Sequence, residues 1–364
     1  MDLSFLRPLY ARPGPFASAY LEATGDGDEQ GTPFAGWERL RERLVAEGAD
    51  VATMGALAHA VPQDDSDVSG RGLALFAAHG RLALAEPLSQ APGEDRAAVA
   101  FVPDAMPLAL QRAPDIACTA IQLRRVHEPG GMSRLIAETQ SGRWPHIRVA
   151  PPEPDVRHVP AGEWRQAARA LADELVATAE RNRTEVVVLA GDRWAGSVLL
   201  ESLPEHDRER VVRIDAVTTP ASPGRLLLEG ELEYLVGGRL SAGDRRHVDG
   251  FLEERARNGA AVEGLDATAQ ALRRAAVAAL IVDTPTRLDR ERLWVGAVTR
   301  QLAVAREELE PLRASACWSA PADAALLRAL VGEGGELVAV RREELPLMDG
   351  IGALLHERSP GRAA

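Results

Sequence analysis

The sequence predicts a protein of the mixed α/β class with several domains. Its 364 residues are long for one domain, and two or three domains of ~100–200 residues each would account for them. Short apolar runs typical of strands alternate with amphipathic stretches typical of helices along the chain. Three prolines interrupt this pattern between Pro103 and Pro114. We therefore expect a mixed α+β N-terminal domain over 1–110, a middle domain over 115–240 and a C-terminal domain over 242–358.

The N-terminal domain is predicted to combine short helices with an antiparallel sheet. Asp50 is a suitable N-cap, because its carboxylate can accept hydrogen bonds from free N–H groups in the first turn of a helix. His79 and Gly80 join two apolar runs, as the turn of a hairpin does. The acidic stretch 64–67 predicts a solvated loop. The expected helices are 4–10, 36–47 and 51–60, and the expected strands are 16–22, 72–78, 81–85 and 97–102.

The middle domain is predicted to begin with a meander of three strands. A proline-rich loop over 151–160 then leads into a long helix that carries Trp164 and Leu171 on its apolar face. The continuous apolar run 185–190 is typical of a strand buried on both faces. Meander, helix, buried strand, helix and strand is the order of an RNase H-like fold. The expected strands are 115–124, 133–139, 146–149, 185–190 and 211–217, and the expected helices are 163–181 and one that starts near Trp194.

The C-terminal domain is predicted as a small α/β/α unit. The glycine cluster 332–335 follows a helix, so it indicates a helix end and a turn rather than a loop for nucleotide phosphates. The charged run 243–246 is typical of a solvated helix face. The expected helices are 242–258, 268–275, 295–303 and 323–330, the expected strands are 279–282 and 337–340, and the segment 345–355 is expected to close the domain.

Composition suggests a cytoplasmic protein. The two cysteines, Cys118 and Cys317, are far apart and have small or apolar neighbours, which favours buried free thiols in a reducing compartment. The first residues lack the basic and apolar regions of a secretory signal. No run of ~18 apolar residues occurs, so we expect no membrane span.

The charge distribution is uneven. A formal net charge of -12 argues against a general nucleic-acid coat protein, because phosphate contacts dominate that kind of binding. Between residues 121 and 170, however, eight arginines stand beside five acidic residues, so this segment carries +3 and the rest of the chain carries -15. The chain contains no lysine, and arginine suits bidentate recognition of phosphate, although codon bias explains the general preference equally well.

Standard catalytic motifs are absent from the sequence. It has no phosphate-binding P-loop, no G-x-S-x-G nucleophile turn and no H-E-x-x-H zinc site. An RNase H-like order raises the possibility of nuclease carboxylates, which must converge on metal ions. Asp115 and Asp192 are the candidates, and their positions favour a strand start and a helix N-cap instead. We therefore predict no metal, no cofactor and no catalytic residue.

Four basic side chains stand on or beside the proline-rich loop. They are His146, Arg148, Arg157 and His158. One interpretation is a cationic tip that contacts RNA phosphates. The other is an exposed loop with incidental charges, which composition alone favours because loops collect charged residues.

Three short motifs, taken in order, resemble a known family. They are Gly14–Tyr20 near the start, Glu185–Gly191 in the centre and Asp349–Leu355 near the end. In their order and spacing they are similar to bacterial homologues of archaeo-eukaryotic peptide chain release factor, the wider group of Balon-like ribosome hibernation factors and Vms-type peptidyl-tRNA hydrolases. The resemblance implies a variable N-terminal domain, an RNase H-like middle domain and a C-terminal domain with the fold of kink-turn-binding ribosomal proteins.

The resemblance also locates a functional loop. In release factors, the loop between the third strand of the middle domain and its long helix carries Gly-Gly-Gln, which promotes hydrolysis of peptidyl-tRNA. The equivalent segment here, 151–162, lacks that tripeptide, and Gly130-Gly131-Met132 belongs to an earlier hairpin. The nearest glutamine, Gln166, falls inside the predicted helix.

This departure implies binding without peptide release. The expected function is a ribosome-associated factor of the hibernation or rescue type that occupies a vacant A site. Its expected partners are rRNA, ribosomal proteins and a translational GTPase, with neither DNA nor membrane. The residues expected to contact RNA are His146, Arg148, Arg157, His158, Gly162 and Arg165. Two alternatives remain open: a peptidyl-tRNA hydrolase that uses Gln166, and a stress-related protein-binding module suggested by the acidic net charge.

Overall fold

The computed structural model describes residues 1–23, 34, 36–62, 70–214, 225–312, 314 and 316–356. The chain divides into two compact units, Pro114–Ala242 and the combination of Met1–Ala113 with Gly243–Ala364. The described residues form four sheets flanked by helices, which confirms the mixed α/β class. The division into three domains stays a prediction. The acidic stretch 64–67 and the end of the strand expected over 211–217 lie outside the described residues.

The N-terminal segment carries one antiparallel sheet. Its strands are β1 (Phe16–Glu22), β2 (Gly72–Ala78), β3 (Arg81–Leu88) and β4 (Arg96–Ala100), and its helices are α1 (Trp37–Ala46), α2 (Val51–Ala60) and α3 (Met106–Gln111). The strands lie in the order β3-β2-β1-β4, and a 3-10 helix spans Ser4–Tyr10. Asp50 caps α2 as predicted, accepting a hydrogen bond from the Thr53 N–H at 2.9 Å. Helix α3 was not predicted, because its proline suggested a break in the helical pattern. Proline is tolerated in the first turn of a helix, and this proline lies there.

The middle unit, Pro114–Ala242, carries a five-stranded sheet. Its strands are β5 (Ile116–His127), β6 (Ser133–Trp144), β7 (Asp155–Pro160), β8 (Val186–Gly191) and β9 (Val211–Ile214), and its helices are α4 (Trp164–Asn182), α5 (Arg193–Ser202), α6 (Glu205–Arg208) and α7 (Glu229–Val236). The strand order is β7-β6-β5-β8-β9. Strands β5, β6 and β7 are antiparallel neighbours, and β8 and β9 run parallel to β5. The predicted succession of a meander, a helix, a buried strand, a helix and a strand is confirmed.

The third strand of the meander was predicted in the wrong place. Residues 146–148 form a 3-10 turn, and the strand is β7, inside the segment predicted as a proline-rich loop. Gly142 resembles part of a turn in the sequence, but it pairs with Cys118 inside the β5–β6 ladder, so β6 continues past the predicted turn. A side chain there would approach Ile147 to 2.5 Å, so glycine serves packing. Strand β7 accepts Pro160 at its end because it is an edge strand.

Two cores cover the faces of the middle sheet. On one face, Trp164, Leu171 and other apolar side chains of α4 pack with α5 against β5, β6 and β8. The Trp164 indole is 1% exposed and donates a hydrogen bond to the Ala195 carbonyl at 3.0 Å. This bond joins the first turns of α4 and α5. On the other face, Cys118 and Trp144 pack against α7, and burial raises the pKa of the Cys118 thiol to about 11.

The C-terminal segment carries two further sheets. Its helices are α8 (Ala242–Ala256), α9 (Leu265–Arg273) and α10 (Ala322–Glu333), and its strands are β10 (Ala261–Glu263), β11 (Val277–Thr284), β12 (Arg292–Val295), β13 (Leu302–Ala303), β14 (Trp318–Pro321), β15 (Glu336–Arg341) and β16 (Ile351–Leu355). The sheets have the orders β10-β16-β11-β15 and β13-β12-β14. The helix predicted over 295–303 is wrong. A tight loop closed by the Gly296 N–H and the Gln301 carbonyl at 2.8 Å joins β12 to β13 instead.

The N-terminal and C-terminal segments share one hydrophobic core. Leu6 and Leu9 of the 3-10 helix are fully buried in the same cluster as Leu327 and Leu330 of α10. Beside this cluster, the Asp104 carboxylate forms an ion pair with the Arg96 guanidinium at 2.8 Å. Burial, together with the negative charge of Asp104, raises the pKa of the Asp323 carboxyl to about 6.

The raised pKa of Asp323 predicts a pH-dependent stability. A carboxyl that is harder to ionise in the folded state favours folding when protonated, and this contribution is lost as pH rises through about 6. Asp289 also raises the pKa, while Arg96 and the Ala324 N–H lower it. Relative to Asp323→Asn, the wild type should therefore gain stability between pH 7 and pH 4, by at most about 1.4 kcal/mol per pH unit. Urea unfolding of both proteins across this range measures the difference, and parallel pH profiles would contradict the expectation.

Candidate nucleic-acid interface

The long strands of the middle sheet separate two ends of the unit. We call one the hairpin end: it carries the β5–β6 turn 128–132, the turn 161–163 before α4, and Asp192 before α5. The opposite end carries Trp144 and the 3-10 turn 146–148. Strand β6 has 12 residues and spans about 40 Å between the two ends.

His146 and Arg148 lie at the opposite end, away from the other predicted RNA contacts. The Arg148 guanidinium forms ion pairs with Glu229 at 3.1 Å and Glu233 at 2.7 Å, and its side chain is 13% exposed. It also lies 5.1 Å from the centre of the Trp144 ring. This guanidinium therefore anchors α7 to the end of β6, and its charge is compensated within the unit.

Arg157 lies on β7, between the two ends. Its guanidinium forms ion pairs with Asp155 on the same strand and with Glu174 of α4. Glu174 stands 17 residues away in sequence, so this pairing could not be read from local composition. Arg157 therefore fastens the edge strand to the long helix.

Gly162 and Arg165 lie at the hairpin end, and His158 lies next to Arg157 on β7; all three are exposed. The connection between β7 and α4 is one 3-10 turn, Ala161–Glu163, where a loop over 151–162 was predicted. Of the six predicted contacts, Gly162 and Arg165 thus lie at the hairpin end, whereas His146 and Arg148 lie at the opposite end. Gln166 follows on the first turn of α4 and is also exposed.

Arg165 has a neighbour that the predictions omitted. Arg169 lies one turn further along α4, and residues four apart lie on the same face of a helix. Both arginines are exposed, and no carboxylate in the described part of the chain forms an ion pair with either of them. The start of α4 adds the partial positive charge of a helix N-terminus, which the carboxylate of its N-cap residue Glu163 partly offsets. The result is a cationic stripe that can bind an anion.

A fixed ion pair lies at the start of α5. Arg125 near the end of β5 donates hydrogen bonds to both carboxylate oxygens of Asp192, at 2.6 Å and 3.3 Å. Asp192 also accepts from the Ala195 N–H at 2.8 Å, which confirms its predicted role as an N-cap. The hydrogen bonds from Arg125 hold the pKa of this carboxyl below its usual value. The Arg125 guanidinium lies 5.2 Å from the centre of the Trp194 ring.

The tip of the β5–β6 hairpin is open to solvent. Gly130 and Gly131 both have a positive φ, and a side chain on either would meet nothing within 4 Å. Met132 beside them is 68% exposed. At the base of the tip, Arg134 forms an ion pair with Glu128 at 3.0 Å. This second turn therefore extends the hairpin end beyond the start of α4.

The arrangement does not match a metal-dependent nuclease. Asp115 pairs with Arg143 at the opposite end, whereas Asp192 lies at the hairpin end, so the two candidate carboxylates do not converge. In the parts of the chain that the structure describes, no group of three histidine, cysteine or acidic side chains could hold a metal ion. Among those same residues, no helix combines the length and the apolar character needed to cross a bilayer.

Comparisons with known proteins connect the middle of the chain to one family. Residues 122–257 match the family described as bacterial archaeo-eukaryotic release factor family 2. Uncharacterized protein Rv2629 of Mycobacterium tuberculosis is 27% identical, over 98% of this chain and 97% of its own length. The match over 122–257 confirms the resemblance to bacterial release-factor homologues that the motifs indicated.

Two solved structures are also similar to the chain. The crystal structure of Archaeoglobus fulgidus Pelota is 17% identical, with a TM-score of 0.37, and 99% of this chain and 94% of that one are covered. A model of ribosome-bound archaeal Pelota and ABCE1 is 13% identical, with a TM-score of 0.38, and 97% and 93% are covered.

Proposed function

We propose that this chain is a cytoplasmic, ribosome-associated factor that contacts ribosomal RNA with the hairpin end of its middle unit. The observation that carries the proposal is the exposed pair Arg165 and Arg169, which lacks ion-pair partners among the described residues although the chain is acidic overall. Carboxylates elsewhere in this unit pair with Arg125, Arg134, Arg148 and Arg157. The guanidinium groups of exposed arginines attract phosphate, and so does the N-terminus of a helix. Their combination at the start of α4 is therefore suited to binding phosphate.

The family match supports the ribosome as the source of that phosphate. Residues 122–257, which match a release-factor family, include the whole hairpin end. In release factors the turn before the long helix carries Gly-Gly-Gln, and here it is reduced to Ala161–Glu163 without that tripeptide. A protein that keeps a cationic end and lacks the hydrolytic loop would bind without releasing the peptide. We therefore propose occupation of a vacant A site during hibernation or rescue, with a translational GTPase as a further partner.

A competition experiment tests the A-site part of the proposal. The protein is sedimented with empty 70S ribosomes and with ribosomes whose A site already holds tRNA. We expect co-sedimentation with the empty ribosomes and its loss when tRNA occupies the A site, because both ligands would require the same RNA surface. Equal sedimentation with both preparations would contradict A-site occupation while leaving ribosome binding intact.

A peptidyl-tRNA hydrolase is the second candidate function. The observation in its favour is Gln166, whose side chain is exposed on the first turn of α4, beside the turn that carries the catalytic glutamine in release factors. Release of labelled peptide from stalled ribosomes, abolished by Gln166→Ala, would establish this activity. Absence of release from ribosomes that bind the protein would leave the non-hydrolytic proposal standing.

A further inference from the structure

Trp194 is an exposed aromatic side chain at the hairpin end. The other two tryptophans of the middle unit, Trp144 and Trp164, are 2% and 1% exposed and belong to its cores. Trp194 is 42% exposed and occupies the first turn of α5. A single exposed ring is ordinary on a protein surface, so the polar contacts around Trp194, rather than its exposure alone, indicate a function.

The indole is positioned by an ordered set of polar contacts. The Arg125 guanidinium lies 5.2 Å from the ring centre and is held by two hydrogen bonds to Asp192. Asp192 is itself fixed to the start of α5 through the Ala195 N–H. The ring therefore stands against a cation that is tied to both β5 and α5, and its exposed part remains free for a ligand.

We infer that Trp194 is a stacking platform for an unpaired base of RNA, an inference that rests on the proposed function. Unpaired bases stack on aromatic rings and on guanidinium planes, and every base has a π face that allows this. The flanking phosphates would meet positive charge, because the Trp164–Ala195 hydrogen bond joins the start of α5 to the helix of Arg165 and Arg169. The ring would bind a base and the positive charge would bind the flanking phosphates, a combination that suits single-stranded RNA.

A protein partner fits this surface less well than RNA does. Met132 and Trp194 are the large apolar side chains exposed at the described hairpin end, and Val156, also exposed, lies toward the other end of β7. An apolar anchor for a protein helix normally needs several such side chains in a row. Trp194 is bordered instead by the ion pair of Arg125 and Asp192, and an exposed ring beside a guanidinium is a combination on which unpaired bases stack.

An oligonucleotide comparison tests the platform directly. The full-length protein is titrated into a fluorescein-labelled RNA of roughly 12 nucleotides, and into an abasic strand of the same length and charge, with anisotropy as the signal. The wild type should prefer the base-containing strand by about tenfold. Trp194→Ala should lose that preference, Trp194→Phe should keep most of it, and Tyr234→Ala, which removes an exposed ring from α7, should change nothing.

The outcomes separate this inference from the proposed function. Equal binding of the two strands by the wild type, absence of binding to either strand, or an unchanged preference in Trp194→Ala would overturn the platform even when the protein still binds ribosomes. A preference that depends on Trp194 in a protein that does not bind ribosomes would retain the platform and overturn the ribosomal proposal.

Discussion

Reversing the charges of Arg165 and Arg169 together should weaken binding to empty ribosomes by about 10- to 100-fold. The two exposed guanidiniums are proposed to contact phosphates, and each phosphate contact releases counterions from RNA. The double variant Arg165→Glu/Arg169→Glu should therefore also reduce the slope of log affinity against log salt by roughly two. Co-sedimentation over a salt series measures both quantities.

The same helix supplies the matched control. Arg181 and Arg183 are exposed at the other end of α4, so Arg181→Glu/Arg183→Glu changes the net charge of the protein by the same amount. This variant should bind ribosomes as the wild type does, apart from a small long-range effect. Equal loss in both double variants would mean that net charge, and not the hairpin end, controls binding.

Replacing Gly191 with alanine should destabilise the middle unit by about 3 kcal/mol or more. Gly191 ends β8 with a φ of +106°, a conformation that side chains rarely adopt. A Cβ atom there would lie 1.9 Å from the Leu123 carbonyl oxygen, which no rotation of a side chain can relieve. The backbone must shift, and with it Asp192 and the start of α5.

Gly162 provides the comparison for this substitution. A Cβ atom on Gly162 meets nothing within 4 Å, and its φ lies outside the left-handed region. Gly162→Ala should therefore change the free energy of unfolding by no more than about 0.5 kcal/mol. Urea unfolding followed by tryptophan fluorescence measures both variants. Similar stability of Gly191→Ala and the wild type would show that β8 and β5 are not held as closely as described.

Most of the fold was predictable because its strands and helices follow simple periodicities. The strand Phe16–Glu22 and the helix Val51–Ala60 have the bounds that apolar spacing and the Asp50 cap predicted. Strand β7 was missed because Pro160 and the prolines that precede the strand suggested a loop, and an edge strand needs few of the residues that mark a buried one. The helix predicted over 295–303 failed because a short apolar run fits a helix or two strands equally well.

The candidate site was predictable in composition but not in arrangement. The excess of arginine over 121–170 was visible, yet Arg148 is neutralised by Glu229 and Glu233, which are more than 80 residues distant in sequence. Such pairing depends on which elements the sheet brings together, and local charge counts do not contain it. Arg169 was detectable in principle, because it stands four residues after Arg165 and beside the buried Ala168 on a helix whose apolar face was recognised.

We propose that this acidic protein binds the ribosome through RNA, and co-sedimentation of purified components over a salt series distinguishes RNA contacts from other kinds of binding. Wild-type protein is sedimented with empty 70S ribosomes at increasing salt concentration, and the bound fraction is measured. We expect binding at low salt that falls steeply as the salt concentration rises, because phosphate contacts release counterions. Absence of binding at every salt concentration, or binding that salt does not weaken, would contradict it.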